Sequence, residues 1–594
     1  MISIENAFND ATNKARITEA AAQKRFNSLA FARLILFATI LILCWLGIQT
    51  PYYFVGAALL LAIFLILMRS QQESKKLRDF QKNIQKVNAD ELNRLLLKFR
   101  NNENGRQYND AAHPYLSDLD IMGKHSVFNL LNRTHTAIGS DRLARWLSAP
   151  AEIGTILERQ VAAKEFSNEL VWRQSWQATA MLHKEAHQEV GALKEWVSQP
   201  LDPALTSILK FRWWGILAIL LIIGAIAGYI PFWIVVINTA LQSLFLKRFH
   251  ATVQNITDQT YTLGNTIQAY SALFQCTETA TFRSKWWQQL PDISNKRISP
   301  ALKDLSKLFS LLDFRMNPYF LILIGIPTLW DLHCLARLEK WKSTFGPRLD
   351  SWLDTLAEIE AMNSLAGYQF AHPQYVTPEP VWDSRIKIET EACGHPLIAS
   401  QQRVVNDFAM EGTGQTCLIT GSNMSGKSTF LRTIGINWIL AQTGAVVCAQ
   451  KFIFTPAFIF TSMRTQDSLE ENTSSFYAEL KRLKLLIELA DKARDLPVFY
   501  LLDEILKGTN SSDRHLGAQA LIKQLQPMAA SGMVSTHDLE LGEWGENIPY
   551  VKNYHFSSDV SEGKLFFDYT LKQGICKSFN ASELMRMMGI QVPR

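Results

Sequence analysis

The sequence predicts a composite fold: two hairpins of membrane-spanning helices, an all-α middle region, and an α/β domain built on a parallel sheet in the last third. Three observations carry that prediction. Apolar runs without charge come in pairs, 34–48 with 52–68 and then again across 213–246. The polar stretch 69–106 keeps Ile84, Val87, Leu92, Leu95 and Leu96 at helical spacing. From residue 417 onward, short apolar runs alternate with helical patterns, as the strands and helices of a parallel sheet do.

At 594 residues the chain is too long for one core, and about three or four structural units are expected. The expected division begins with an N-terminal cytoplasmic segment (1–30), the first hairpin (31–69) and a basic helical linker (70–110). A helical core in two parts (111–212 and 247–385) surrounds the second hairpin (213–246), and the α/β domain takes 386–594. Hydrophobic residues make up 47% and charged residues 19%, an apolar balance for an enzyme of this size. A net charge of +5 does not argue for nucleic acid, because a DNA-binding face needs a local basic cluster. Seven cysteines, at 44, 276, 334, 393, 417, 448 and 576, are scattered with no C-x-x-C pair. Neither a disulfide framework nor a zinc site is expected, and a reducing compartment fits.

The first pair of apolar runs is long enough to span. A helix rises about 1.5 Å per residue, so roughly 17–20 residues cross a hydrocarbon core of about 30 Å. Gln49, Thr50 and Pro51 form the turn. Lys24, Arg25 and Arg33 precede the first run, and Arg69, Lys75, Lys76 and Arg78 follow the second. Positive flanks at both outer ends put those ends on the cytoplasmic side. The pattern recurs around Pro231, with Lys210 and Arg212 before it and Lys247 and Arg248 after, although Asn238, Thr239, Gln242 and Ser243 interrupt the last run. The expectation is a multi-pass protein of the cell (inner) membrane whose N-terminus and remaining mass are cytoplasmic. A third apolar run, Phe320 to Trp330, holds Pro327 and is too short to span; it is expected to be a core helix. The linker's basic face could touch lipid headgroups or simply be solvated.

The strongest local signal is the loop Gly421, Ser422, Asn423, Met424, Ser425, Gly426, Lys427, Ser428 and Thr429. It satisfies G-x-x-x-x-G-K-[ST] between a short apolar strand (417–420) and a helix (430–442) with Gly444 as its C-cap. Glycines let such a loop wrap phosphates, and exposed N–H groups at the helix start hold anionic oxygens. Lys427 would reach the β/γ-phosphates of ATP, and Ser428 would ligate Mg²⁺. A second element follows: the apolar run 497–502 ends in Asp503 and Glu504. Asp503 would hold Mg²⁺ through water, and Glu504 would orient or deprotonate the attacking water. A third run, 533–536, closes in His537, a candidate sensor of the γ-phosphate.

These residues resemble a family, the MutS-type DNA mismatch-repair ATPases within the wider ABC-type ATPases. The loop T-G-S-N-M-S-G-K-S-T-F-L-R (420–432) is similar to that family's T-G-P-N-M-G-G-K-S-T-x-x-R. Leu502-Asp-Glu-Ile-Leu-Lys-Gly-Thr509 resembles its L-D-E-x-x-x-G-T, and Ser535-Thr-His537 its S/A-T-H switch. Ser474-Ser-Phe476 with Glu479 resembles S-T-F-x-x-E, in which the serine reaches the opposite subunit's nucleotide. The resemblance thus implies a P-loop (ABC/MutS-type) ATPase domain, a homodimer through these domains with Ser474 acting in trans, and Asp513 near the interface. Asn132 to Gly139, Arg145 to Pro150, Glu358 to Ala366 and Gly394-His-Pro396 resemble the family's lever region and the entry to its ATPase. There are departures. Nothing resembles the N-terminal mismatch-reading domain, and the second hairpin falls inside the lever region. Arg403 stands where the family usually places an adenine-stacking Phe.

Two functions follow as expectations. One is an ATP-switched dimer that engages double-stranded DNA beside the lipid bilayer, in mismatch repair or related maintenance. The alternative is an ABC-type membrane ATPase acting mechanically on a lipid, solute or protein without DNA. The L-S-G-G-Q signature of ABC transporters is missing.

Overall fold

A computed structural model describes residues 2–99, 104–182, 191–200, 212–260, 263–293, 297–422, 424–464, 475–492, 496–528, 530–561 and 564–576. Two long antiparallel helices open the chain, α1 (Ile2–Gly47) and α2 (Tyr53–Leu95). At about 1.5 Å per residue each is roughly 65–70 Å long, more than twice a bilayer core. Their apolar ends, around Leu34 and Leu59, are exposed, and these two helices are long and apolar enough to cross a membrane. Their polar ends dock on the helical core, where Phe8 meets Phe370 edge-on and Ala15, Ile84 and Ala178 pack together. Within the expected N-terminal segment, residues 2–30 are therefore not separate from the hairpin; they belong to the same helix. Part of the basic linker faces α1: Arg78 lies over the Phe26 ring and bonds Gln23, and Lys82 pairs with Glu19 at 3.8 Å.

The second hairpin forms as α5 (Arg212–Ile226) and α6 (Phe232–Lys247), turning at Pro231. Their described parts are about 22–24 Å long, against a hydrocarbon core of about 30 Å. Among the described residues α1 and α2 are the helices both long and apolar enough for a full span, or three spans result if the bent pair Ile298–Met316 and Pro318–Thr328 counts as one.

The helical core includes α3 (Ala137–Ser148), α4 (Ile153–Asn168), α7 (Ile298–Asp313), α8 (Trp330–Phe345) and α9 (Leu349–Ala371). Buried along most of its length, α9 packs against α3 and α4 and forms the axis of this part. The run Phe320 to Trp330 corrects an expectation, because it is not a core helix. Asn317 caps a fresh helical start at Pro318, a π-turn follows, and Leu329 in left-handed backbone ends the segment. Tyr319, Ile322 and Leu323 are 79%, 61% and 70% exposed. Proline and the broken hydrogen-bond ladder prevent this stretch from presenting one continuous face to a core.

The described residues of the α/β domain hold two sheets. In the smaller, β1 (Ile386–Cys393) pairs antiparallel with β2 (Asn406–Gly412) and with β4 (Lys451–Phe454), and the latter pairs with Glu379–Pro380. The larger sheet is built from β3 (Thr416–Thr420), β5 (Phe458–Ser462), β6 (Val498–Asp503), β7 (Ala530–Thr536), β8 (Val551–Ser561) and β9 (Lys564–Gln573), in the order β9-β8-β3-β7-β6-β5. All its neighbours run parallel except the β9–β8 edge pair. Every residue of β3 and β7 is buried, as strands covered on both faces must be. Helix α10 (Lys427–Thr443) follows β3 and ends at Gly444, whose φ of 92° makes it the expected left-handed cap.

Residues 111–126 also depart from the expected division, since they strap onto the α/β domain. Thr461 Oγ1 and Met463 N–H donate to Asp118 at 2.8 and 3.1 Å, and Arg482 donates to the carbonyls of His113 and Pro114. Leu119 lies on the bare backbone of Gly435 in α10, where a Cβ would come within 2.9 Å of it.

Candidate functional site

The parallel strands end together, and the loops leaving them converge. Between β3 and α10 the chain turns through Gly421, Met424 and Gly426 at φ of 151°, 66° and 106°. Glycine is required at the first and last of these: a Cβ on Gly421 would lie 2.8 Å from the Phe556 carbonyl, and one on Gly426 would lie 3.0 Å from the Tyr569 ring. Beside this loop is a cleft of about 530 Å³ lined by Ser425, Gly426, Lys427, Ser428, Thr429 and Glu504, among others.

The Lys427 side chain is buried and folds back, donating to the carbonyls of Gly421 at 3.0 Å and Ser422 at 2.9 Å. Burial, partly offset by Glu504 and Asp503, brings its ammonium down to about 8. His537 bridges the two loops, with Nδ1 2.7 Å from the Gly421 carbonyl and Nε2 2.6 Å from Glu504 Oε1. The other Glu504 oxygen pairs with Lys507 at 2.7 Å. Hydrogen bonding from His537, together with Lys507 and against the cost of burial, holds the Glu504 carboxyl at about 2. Asp503 accepts from Ser535 Oγ, and the Glu504 N–H donates to the Ser535 carbonyl at 3.0 Å. Glu504 and Leu506 sit in left-handed backbone, a sharp turn pinned by the Leu506 N–H donating to the buried Glu479 of α11 (Ser475–Lys492).

The structure thus brings Gly421, Lys427, Glu504 and His537 into one connected chain of contacts. Ser422 is buried in the loop, Ser428 and Thr429 line the cleft, and Asp503 lines a smaller neighbouring pocket of about 160 Å³ with Glu504 as the shared wall. Asn423 and Ser474 lie outside the described residues. Asp513 is exposed near the start of α12 (Ser511–Leu525), its N–H held by the Asn510 cap.

Arg403 does not line the cleft. Its guanidinium turns inward to the Ile398 carbonyl and, at 2.9 Å, to Cys448 Sγ. Ile398, Gln402 and Val404 line the wall instead, and Tyr569 faces them from β9. Sequence reasoning missed Tyr569. A register break between Phe567 and Leu571 throws it, at φ 53°, over the loop, while Asn406 bonds the backbone of both Tyr569 and Leu571. Lys507 was also missed, although its spacing of three from Glu504 on a turn was a usable signal.

A family profile described as MutS domain V matches residues 417–592. The C-terminal part of this chain is thus similar to MutS domain V. The DNA mismatch repair protein MutS of Thermotoga maritima is 32% identical over 241 residues, 40% of this chain and 29% of that protein. Its namesake in Bacillus subtilis is 32% identical over 274 residues, covering 44% and 31%. In Natronomonas pharaonis the figures are 30% over 248 residues, covering 41% and 28%. The chain therefore spans less than a third of the length of these relatives, and the likeness lies in its C-terminal part.

Proposed function

We propose that this chain is an Mg²⁺-dependent ATPase, anchored in the cell membrane by its hairpins, whose MutS domains V pair as a homodimer when ATP is bound. One observation carries the reading: Lys427, the Gly421 carbonyl, His537 and Glu504 form a single hydrogen-bonded chain across a cleft at a helix N-terminus. The site fits a triphosphate. Among the described residues the buried Ser425 hydroxyl has no hydrogen-bond partner, and carbonyls of its own loop are the groups to which the Lys427 ammonium donates. Phosphate oxygens would satisfy both. Mg²⁺, held by Ser428 and Asp503, would neutralise phosphate charge. Glu504 would orient the attacking water, and His537 would report whether the last phosphate is present. Ser474 would complete the partner's site. Tests of the reading are calorimetry with ATP and Mg²⁺ on the detergent-solubilised chain and a hydrolysis assay; no heat and no turnover would refute it.

Two consequences are specific to this cleft. Lys427 must be charged to hold phosphate, so ATP affinity should fall as pH rises through about 8, and binding at about pH 9 should take up a proton. Titration calorimetry in buffers of different ionisation enthalpy measures that uptake. Tyr569, with Ile398 and Val404 opposite, offers the base a stacking face. Base–aromatic stacking contributes about 1–3 kcal/mol, so Tyr569→Ala should weaken ATP binding about tenfold while Tyr569→Phe leaves it near wild type.

The output has two readings. The relatives named for DNA mismatch repair favour double-stranded DNA as the partner. DNA binding with a steep salt dependence is then expected, and no binding at low salt in any nucleotide state would exclude it. A specific observation favours a mechanical output at the membrane instead. Helix α2 runs unbroken from the apolar hairpin to the helical core, and the second hairpin springs from that same core. Stimulation of ATPase activity by DNA, or by lipid alone, separates the two.

A further inference from the structure

Membrane anchoring was read from the two hairpins; the segment between α7 and α8 was not part of it. There the chain bends by 92° between Met316 and Pro318, and the segment ends at Leu329. Its exposed apolar side chains do not face water alone. Together with α5 and α6 they enclose a groove of about 720 Å³, whose walls include Ile222, Ile226, Phe232, Val236, Ile322 and Leu323. Ile226 and Phe232 lie near the far tip of the hairpin, and they share this groove with Ile322 and Leu323. Thr328 returns to its base, where a Cβ on Gly215 would lie 3.0 Å from the Thr328 carbonyl.

A polar tie holds the three pieces together. Gln242, fully buried, donates to the Pro327 carbonyl at 3.1 Å and accepts from Asn238 at 3.2 Å. Asn238 in turn accepts from the Trp214 indole at 2.9 Å. A helix broken by Pro327 and Leu329 leaves carbonyls without intrahelical partners. Water would satisfy them cheaply, but hydrocarbon demands an internal donor, which Gln242 supplies to one of them. The groove walls continue into the exposed apolar face of the hairpin at Leu220, Ile223 and Trp233.

We propose that residues 317–329 are a re-entrant membrane limb. They enter the bilayer beside the second hairpin, meet lipid acyl chains through Ile322 and Leu323, and return to the helical core through α8, fixed by Gln242. The proposal rests on the membrane reading of that hairpin, and the test separates the two. In a chain carrying Cys44→Ala and Cys276→Ser, an environment-sensitive dye is attached to single cysteines at L323C, L220C and K340C. The full chain is reconstituted in phosphatidylcholine–phosphatidylglycerol vesicles with nitroxide-bearing acyl chains. Quenching at 220 and 323, with 340 unquenched, is the expected result. An unquenched dye at 220 overturns the membrane reading itself; quenching at 220 with 323 behaving like 340 overturns the re-entrant limb alone. Adding Gln242→Leu should reduce quenching at 323 to the level at 340 while 220 keeps its own. Undiminished quenching at 323 in that variant would remove Gln242 from the account.

Discussion

Glu504→Gln is expected to leave ATP binding near wild type while slowing hydrolysis by about 10²–10⁴-fold, the usual contribution of a positioned acid or base. Two contacts set the direction. His537 and Lys507 each hold one carboxylate oxygen and keep Glu504 ionised across the working range. Glutamine keeps the size and one acceptor oxygen but loses the charge that attracts a proton from water. The loop Gly421–Thr429 and Lys427 are untouched, so the nucleotide still binds. On the proposed reading that ATP holds a homodimer and turnover releases it, the variant should accumulate as that dimer. Single-turnover hydrolysis measures the first effect, and light scattering in detergent with ATP and Mg²⁺ measures the second. Wild-type turnover in this variant would remove Glu504 from the chemistry.

How much of this was legible in the sequence depended on whether the determining contacts are local. The strands β3 and β6 carry continuous apolar runs, 417–419 and 498–502, because neighbours cover both faces, and that pattern needs no tertiary knowledge. The loop before α10 was legible for the same reason: its glycines serve positive φ angles within a few residues of one another. Tyr569 was not, because a bulge in an edge strand and the side chain of Asn406, far back in the chain, set its position. The strap at 111–126 was hidden because Asp118 finds its partners, Thr461 and Met463, in a different domain. Phe320 to Trp330 misled because an apolar run of that length suits a core helix and a bent lipid-facing limb equally; Gln242, outside the run, makes the difference. Arg403 occupies the expected stretch of chain, yet its guanidinium points into the domain where a cysteine and a carbonyl await it.

Glu91→Ala should have the largest effect on stability, a loss of about 3–5 kcal/mol out of a typical total of about 5–15 kcal/mol. Glu91 lies on α2 beyond the apolar hairpin, and Arg133 donates to its two oxygens at 2.6 and 2.8 Å. Both side chains are almost wholly buried. Burial alone would raise the Glu91 carboxyl, but Arg133, with Arg94 and Arg173, outweighs it and holds the group below its ordinary value. Alanine at 91 leaves the buried Arg133 guanidinium without its carboxylate partner and still close to Arg173, and that uncompensated charge is the source of the loss. A second change tests the cause: Arg133→Met in the same chain removes the stranded charge and should recover part of the stability, as apolar replacement of a buried pair does. Denaturant unfolding of the solubilised full chain gives both numbers. A loss below about 1 kcal/mol in the single variant would mean that water reaches the pair, as at an exposed salt bridge. The functional stake is positional. Arg133 also takes the Ser364 hydroxyl through its N–H and packs on Gly367 of α9, so this ion pair joins the helix leaving the hairpin to the axis of the core. A chain folded but without the pair should hydrolyse ATP while transmitting less of the cycle to α2. Nucleotide-dependent cross-linking between the first hairpins would then fall, with the hydrolysis rate unchanged.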